Sequence, residues 1–400
     1  PPPTPPPMSS TARVVSAAAP STGRSSSTAT SSSSSSRRGG STIARAVQPP
    51  SSTANKTSIA AEIVGAVLKF PPLWEAASKG AKEKMIKRAG DLGVDWQREV
   101  ESLRCATDWE KALADATDDA VLASTPAYYK TSFHAYPEGN LGWAPAHEVE
   151  VAAVAVHAVT FSDDGKTLDA NGDEMLRRGY HDAQALGMDA IGGPDVRANS
   201  IRTIVDVGCS SGLSTRELVR AFPDATRVVG IDLSPHFIAV ARHALATRRD
   251  GDPPGWGVGI GVDVDGDGGD DHGGNKVSFA HAAGERLPFE DGSVDLVSSC
   301  LVFHELPSDA AAAVIADAFR ALRPGGYFTM MDMDPTAPAF ERIANNVFAF
   351  TAFKSTEPYL EQYASLDVQD VVRAAGFEAR VETLPSSPRH RTIVARKPCA

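Results

Sequence analysis

Between Ile201 and Ala246 the sequence sets out four elements in an order that leaves few folds open. Ile201 to Val207 is a short run of branched apolar residues, which reads as a buried parallel strand. It ends in Asp206-Val207-Gly208-Cys209-Ser210-Ser211-Gly212. A helix is expected at once: Ser214 and Glu217 have capping-box spacing, and Leu218, Val219 and Phe222 supply an apolar face. Arg227 to Asp232 is a second strand closed by an acid. Ser234 and Pro235 then suit the N-cap and first position of a helix running to about Ala246. Strand, glycine loop, helix, strand with terminal acid, helix is the βαβ nucleotide-binding unit. The expected fold class is therefore α/β, with a doubly wound, Rossmann-like sheet.

The loop spacing selects among nucleotides. A dinucleotide site usually shows GxGxxG, which grips a pyrophosphate at the helix N-terminus. Here the pattern is Gly208-x-x-x-Gly212, with Asp206 two residues before the first glycine. A carboxylate there repels a pyrophosphate and attracts an ammonium or a sulfonium. Glycine lets the backbone turn tightly and lets a ligand approach where a side chain would block it. Asp232, 20 residues past Gly212, is placed to accept both hydroxyl protons of a ribose.

On these residues the chain resembles the class I S-adenosylmethionine-dependent methyltransferases, in the branch that includes the ubiquinone/menaquinone-biosynthesis enzymes. The resemblance runs from about Ile201 to Arg396. Ala282-Ala283-Gly284-Glu285-Arg286-Leu287-Pro288-Phe289 is similar to the family's adenine-pocket loop after the third strand. Val294 to Cys300 looks like the fourth strand. Leu322-Arg323-Pro324-Gly325-Gly326 resembles the helix-to-strand turn before a fifth strand, Tyr327 to Met333. Asp370 to Ala375, Phe377 to Thr383 and Arg391 to Ala395 fit the closing helix and antiparallel strand pair of a seven-stranded methyltransferase sheet. Phe70 to Trp74 and His134 to Trp143 resemble plant and algal plastid methyltransferase-like proteins.

The resemblance implies S-adenosyl-L-methionine as cofactor and assigns roles by position. Asp206 and the loop of Gly208, Cys209, Ser210 and Gly212 would hold its methionine end. Asp232 would bind the ribose, with Leu233 near the adenine. Gly284 and Glu285 would line the adenine pocket, and Cys300 would lie beneath the sulfonium. Two positions depart from the pattern: Ser210 replaces the usual middle glycine, and Ala283 stands where many relatives carry an acid.

Methyl transfer is an in-line displacement in which alignment and exclusion of water do most of the work. An acceptor that carries a proton also needs a general base. His304 and Glu305, just past the fourth strand, are candidates, and His134, Tyr136 and Glu357 could reach in from flanking segments. A helix-capping histidine and a solvated glutamate explain the same pair, so no base is assigned.

The rest of the chain bounds the setting. Of 400 residues, 42% are hydrophobic and 22% charged, the balance of a globular protein. No apolar run reaches the roughly 18 residues of a membrane span. From Pro1 to Ala61 there is no acid, Ser31 to Ser36 is unbroken, and the charges are Arg13, Arg24, Arg37, Arg38, Arg45 and Lys56. Such a segment cannot offset chain entropy by burial. We expect a disordered tail over 1–57 with the character of a transit peptide for a chloroplast, the alternative being a mitochondrion. Met8 reads as a start, which would leave residues 1–7 outside it. The formal charge of −11 becomes −17 without those six basic residues, which argues against nucleic acid as a partner.

Residues 58–192 read as a helical substrate cap, with 193–400 as the methyltransferase domain. Helices are expected over Ile59 to Leu68, Trp74 to Ala89, Trp96 to Leu103, Ala146 to Ala158 and Asp173 to Leu186. Lys79, Lys82, Lys84, Lys87 and Arg88 give one helix a basic face, either solvated or a landing face for an anionic membrane surface or substrate. Tyr128, Tyr129, Phe133, His134 and Tyr136 suit a pocket wall or a domain joint equally. Gly192-Gly193-Pro194 breaks the chain before the sheet.

Residues 250–275 read as a flexible acidic insertion. Asp263, Asp265, Asp267 and Gly268 start like a calcium loop, but Gly274 stands where the bidentate glutamate belongs. Cys105, Cys209, Cys300 and Cys399 form no CxxC pair, so neither a disulfide framework nor a metal is expected. The expected activity is methyl transfer to a small molecule, such as a prenylated quinone or similar ring. The alternatives are an NAD(P)-dependent oxidoreductase and a non-catalytic relative that binds a partner.

Overall fold

Near-continuous apolar runs in five strands build a sheet that is buried on both sides. The computed structural model describes residues 71–193, 201–247, 249, 251–254, 256, 276–345 and 356–399. The strands are β1 (Thr203–Val207), β2 (Arg227–Asp232), β3 (Val277–His281), β4 (Val294–Cys300), β5 (Leu322–Met333), β6 (Val381–Ser387) and β7 (His390–Arg396). Their order is β3-β2-β1-β4-β5-β7-β6. The first five are parallel, and β7 runs antiparallel to both β5 and β6. This is the expected seven-stranded, Rossmann-like methyltransferase sheet.

Successive side chains on a strand face opposite ways. Ile204, Val228, Leu296 and Tyr327 therefore share one face, packed with Leu218, Phe237 and Ile238. Val205, Val229, Val297 and Phe328 share the other, packed with Ala311, Val314 and Ile315. Each core closes only because a helix lies on it, which is why the sheet is doubly wound.

The helices are α1 (Pro71–Asp91), α2 (Trp96–Arg104), α3 (Trp109–Ala116), α4 (Asp119–Ser124), α5 (Trp143–His157), α6 (Gly172–Gly192), α7 (Leu213–Ala221), α8 (Pro235–Ala246), α9 (Ser308–Ala321), α10 (Pro338–Ala344), α11 (Leu360–Ser365) and α12 (Val368–Ala374). Ser234 caps α8 as expected, its Oγ accepting from the Phe237 amide at 3.4 Å. The short α3 and α4 were not anticipated, although Asp108 and Asp118 cap them through backbone amides. α6 lies on β6 and β7 so closely that a Cβ at Gly187 would meet Val394 Cγ2 at 2.6 Å.

Several boundaries differ from expectation. Leu322 to Gly326 is the irregular start of β5 and not a separate turn, with the register shifting opposite Val294 and Leu296. β6 begins at Val381 rather than Phe377, whose ring is buried in the core instead. The capping box at Ser214 does not form. Gly212, at φ +89, starts α7, and the Ser214 hydroxyl donates to Asp206. The basic face of α1 is partly committed, since Lys82 pairs with Glu148 at 2.8 Å and Arg88 donates to the Ala155 carbonyl at 2.9 Å. Among the described residues no helix is long and apolar enough to cross a membrane.

The insertion is not loose throughout, for Trp256 is fully buried. The tail over 1–57, the helix expected at Ile59 to Leu68, Pro194, and the calcium-like residues Asp263, Asp265, Asp267, Gly268 and Gly274 lie outside the described residues. All four cysteines are free, Cys105 and Cys399 exposed, Cys209 and Cys300 buried.

Candidate active site

The carboxyl ends of β1, β2 and β4 open into a cavity of about 610 Å³, the usual place for a ligand in a doubly wound sheet. Its size falls in the roughly 300–1,000 Å³ range of small-molecule sites. Gly208, Cys209, Ser210, Asp232, Leu233, Gly284, Glu285 and Cys300 line it, as the sequence suggested. Asp206 and Gly212 do not. A Cβ on Gly212 would meet Phe279 at 2.7 Å, so this glycine serves packing and not ligand approach. A Cβ on Gly208, at φ +70, would meet Val302 at 2.5 Å, and Gly208 does border the cavity.

Ser210 has φ +52, a left-handed conformation costly for a residue with a Cβ. Its amide donates to Asp232 Oδ2 at 3.0 Å, which ties the loop to the end of β2. Ser234 N–H donates to Asp232 Oδ1 at 2.8 Å, and the Tyr129 hydroxyl donates to the same oxygen at 3.0 Å. A carboxylate offers about four acceptor sites. Asp232 thus cannot accept both hydroxyls of a ribose while Tyr129 stays in place. The neighbouring acid is treated alike: the Tyr128 hydroxyl donates to Glu285 Oε1 at 2.5 Å. The aromatic stretch is therefore a pocket wall, latched to the two acids expected to meet the nucleoside.

Asp206 is completely buried behind the loop. Its Oδ2 accepts from Ser214 Oγ at 2.7 Å and Thr215 Oγ1 at 2.6 Å, both in the first turn of α7. Its Oδ1 has no partner among the described residues. Burial pushes this carboxyl up to about 6 against the pull of the two hydroxyls, so it is ionised at neutral pH. Arg177, which sequence reasoning missed, is buried at the cavity wall close enough to favour the Asp206 anion. It donates to Asp173 Oδ2 at 2.9 Å and lies 3.7 Å from Cys300 Sγ. Burial pushes the Cys300 thiol up to about 12, so it is neutral.

The candidate bases sort differently. The Tyr136 hydroxyl donates to Glu148 Oε2 at 2.8 Å, and burial pushes its ionisation well up, so it is no base at neutral pH. His304 Nδ1 lies 2.8 Å from Asp332 Oδ1, and its amide donates to Asp332 Oδ2 at 3.1 Å. Burial works against charge on His304, but Asp332 outweighs it and pushes the imidazolium up to about 10. No base was assigned from the sequence, and here the Nδ1 of His304 is committed to Asp332. Glu305 accepts from Asn140 Nδ2 at 3.1 Å, and burial pushes it up to about 7. His134 Nε2 lies 3.2 Å from Glu357 Oε1 and 3.8 Å from Glu305 Oε1. Burial, with the His304 cation beside it, keeps His134 neutral.

Residues 205–330 match a family model described as a methyltransferase domain. Over 181 residues the chain is 26% identical to a ubiquinone biosynthesis O-methyltransferase of Nitrosococcus oceani, covering 44% of this chain and 64% of that one. It is also 26% identical over 200 residues to the ubiquinone/menaquinone biosynthesis C-methyltransferase UbiE of Hahella chejuensis, covering 50% and 65%. Among solved structures, the [4+2]-cyclase SpnF aligns at a TM-score of 0.43 and 17% identity, covering 65% of this chain and 94% of that one. The chain spans less than two thirds of the length of these two curated relatives. The family match falls on the β1 to β5 segment that carries the cavity floor.

Proposed function

We propose that the protein is an S-adenosylmethionine-dependent methyltransferase acting on a small, largely apolar acceptor such as a prenylated quinone or related ring. One observation carries the choice of cofactor: the Asp206 carboxylate is lodged against the first turn of α7. That is where a dinucleotide enzyme holds its pyrophosphate. An anion already stands there, so a cationic ligand fits and a phosphate does not.

When bound, the cofactor supplies a methyl group on a positively charged sulfur. The residues of this chain hold and orient it. Arg177 borders the cavity beside Cys300, while Asp206 stands behind the loop and acts through its charge and its hold on the first turn of α7. Asp232 accepts from the ribose once Tyr129 releases it, and Glu285 and Leu233 border the nucleoside. Cys300, as a neutral thiol, adds no charge of its own to the methyl group's surroundings. Met85, Ala152 and Val156 of α1 and α5 give the acceptor end an apolar wall that excludes water. The acid-free, serine- and arginine-bearing leader supports a plastid address for this activity, with the mitochondrion as alternative.

Calorimetric titration of the full chain tests the reading. S-adenosylhomocysteine should bind one to one, and NAD(H) should not bind. The reverse result would replace methyl transfer by hydride transfer, and binding of neither would leave a non-catalytic protein. Tyr129→Phe is expected to tighten S-adenosylhomocysteine about tenfold. The ligand then no longer has to break a hydrogen bond to a charged group, worth about 1.5–3 kcal/mol. A weaker complex in the same titration would show that Tyr129 holds the ligand instead of competing with it.

A further inference from the structure

Beside the nucleoside crevice, three separate segments bring nitrogen and carboxylate donors to one point. His134 comes from the loop before α5, His304 and Glu305 from the turn after β4, and Glu357 from the residues before α11. One donor atom from each of His134, His304 and Glu305 lies within 4.8 Å of the others. His134 Nε2 is 3.2 Å from Glu357 Oε1 and 3.8 Å from Glu305 Oε1. Two ligands at about 2.1 Å from one tetrahedral ion lie roughly 3.4 Å apart, so these spacings bracket the required one.

One observation independent of these spacings points to a ligand here. Glu357 is 5% exposed, and its Oε2 has no partner among the described residues although it borders the cavity. His134 is held at φ +50, and its amide donates to the Thr356 carbonyl at 2.7 Å. The bond to Thr356 sets His134 next to Glu357, one residue further on. His304 also has the arrangement found behind metal-bound histidines. Its Nδ1 is fixed by the fully buried Asp332 at 2.8 Å, which leaves the other ring nitrogen to ligate.

We propose that His134, His304, Glu305 and Glu357 bind one first-row divalent cation, with Asp332 orienting His304 from behind. Two imidazoles and two carboxylates suit Zn²⁺, Mn²⁺, Fe²⁺ or Co²⁺, and no thiolate is present to favour softer ions. The site opens on the cavity shared with the methyl donor. On the methyl-transfer reading proposed above, the ion orients an acceptor hydroxyl and lowers its pKa. Binding of the ion itself does not depend on that reading.

The full chain, stripped with a chelator and dialysed, is titrated with Co²⁺ and, separately, Zn²⁺. One ion per chain is expected, with micromolar or tighter affinity and a visible Co²⁺ absorption band of low-symmetry coordination. Asp332→Asn should weaken Zn²⁺ binding 10- to 100-fold, and His134→Ala should abolish the Co²⁺ band. Absence of stoichiometric binding by the unmodified protein, or an unchanged band in His134→Ala, overturns the proposal. S-adenosylhomocysteine titration of the same samples separates the two readings. Ion without nucleoside sinks the methyltransferase and keeps the metal site; nucleoside without ion does the opposite.

Discussion

Asp232→Ala should weaken S-adenosylhomocysteine binding by at least a hundredfold, while the unmodified chain binds it one to one. The acid is 7% exposed at the end of β2, where it borders the cavity. Each charged hydrogen bond to a ribose hydroxyl is worth about 1.5–3 kcal/mol, so the loss of two gives that factor. The change also frees the Ser210 amide and with it the left-handed loop beside the cofactor. Asp232→Asn separates the two effects. An amide oxygen can still accept from Ser210 or Ser234, so its loop should hold, yet it lacks the charge that strengthens the ribose bonds. Retention of affinity within threefold in both variants would show that the nucleoside lies elsewhere. Thermal denaturation run alongside reports whether either variant has lost its fold.

Trp256→Ala is expected to cost about 3–5 kcal/mol of stability, read from urea midpoints. Trp256 has no exposed surface, although it sits in a segment that reads as a loop. Its indole N–H donates to the Ala244 carbonyl at 3.1 Å, at the end of α8. Its ring meets Phe279 at 5.9 Å between centroids, and the Arg216 guanidinium lies 4.9 Å over it. Deleting it opens a cavity against α7 and β3 and leaves a carbonyl without its donor. Phe279 and Trp256 also border the position a Cβ on Gly212 would take, so the cofactor loop rests on this contact. A loss below 1 kcal/mol would mean that the ring is not packed as described.

These cases show where sequence reasoning succeeds and where it stops. The β1 to α8 unit was legible because its signals are local: apolar runs, a glycine bend, an acid at a strand end and Ser234-Pro235. The Ser214 to Glu217 pattern was equally local and misled. The helix starts at Gly212, which puts Ser214 inside the first turn, where its hydroxyl donates to Asp206 and does not cap an amide. Contacts made by the fold carry no such signal. Tyr128 and Glu285 are 157 residues apart, and Tyr129 and Asp232 are 103 apart. Arg177 lay inside an expected helix, where a basic residue normally reads as solvated. His134, Glu357 and His304 were each noted as candidates, but only the fold shows that Asp332 takes one ring nitrogen of His304 and that Tyr136 goes to Glu148 instead. Trp256 escaped because glycines and aspartates around it set the expectation for the whole stretch.

On the methyltransferase reading proposed above, the phenols of Tyr128 and Tyr129 hold the two acids that sugar and base would meet. If Tyr129 gives way to two ribose hydroxyls, Asp232 goes from three accepted bonds to four, the most a carboxylate holds. Occupancy of the crevice is then reported mechanically to the segment between α4 and α5, which has to let go. Since that same segment carries His134, loading the donor and arranging the acceptor end become successive moves of one piece of chain.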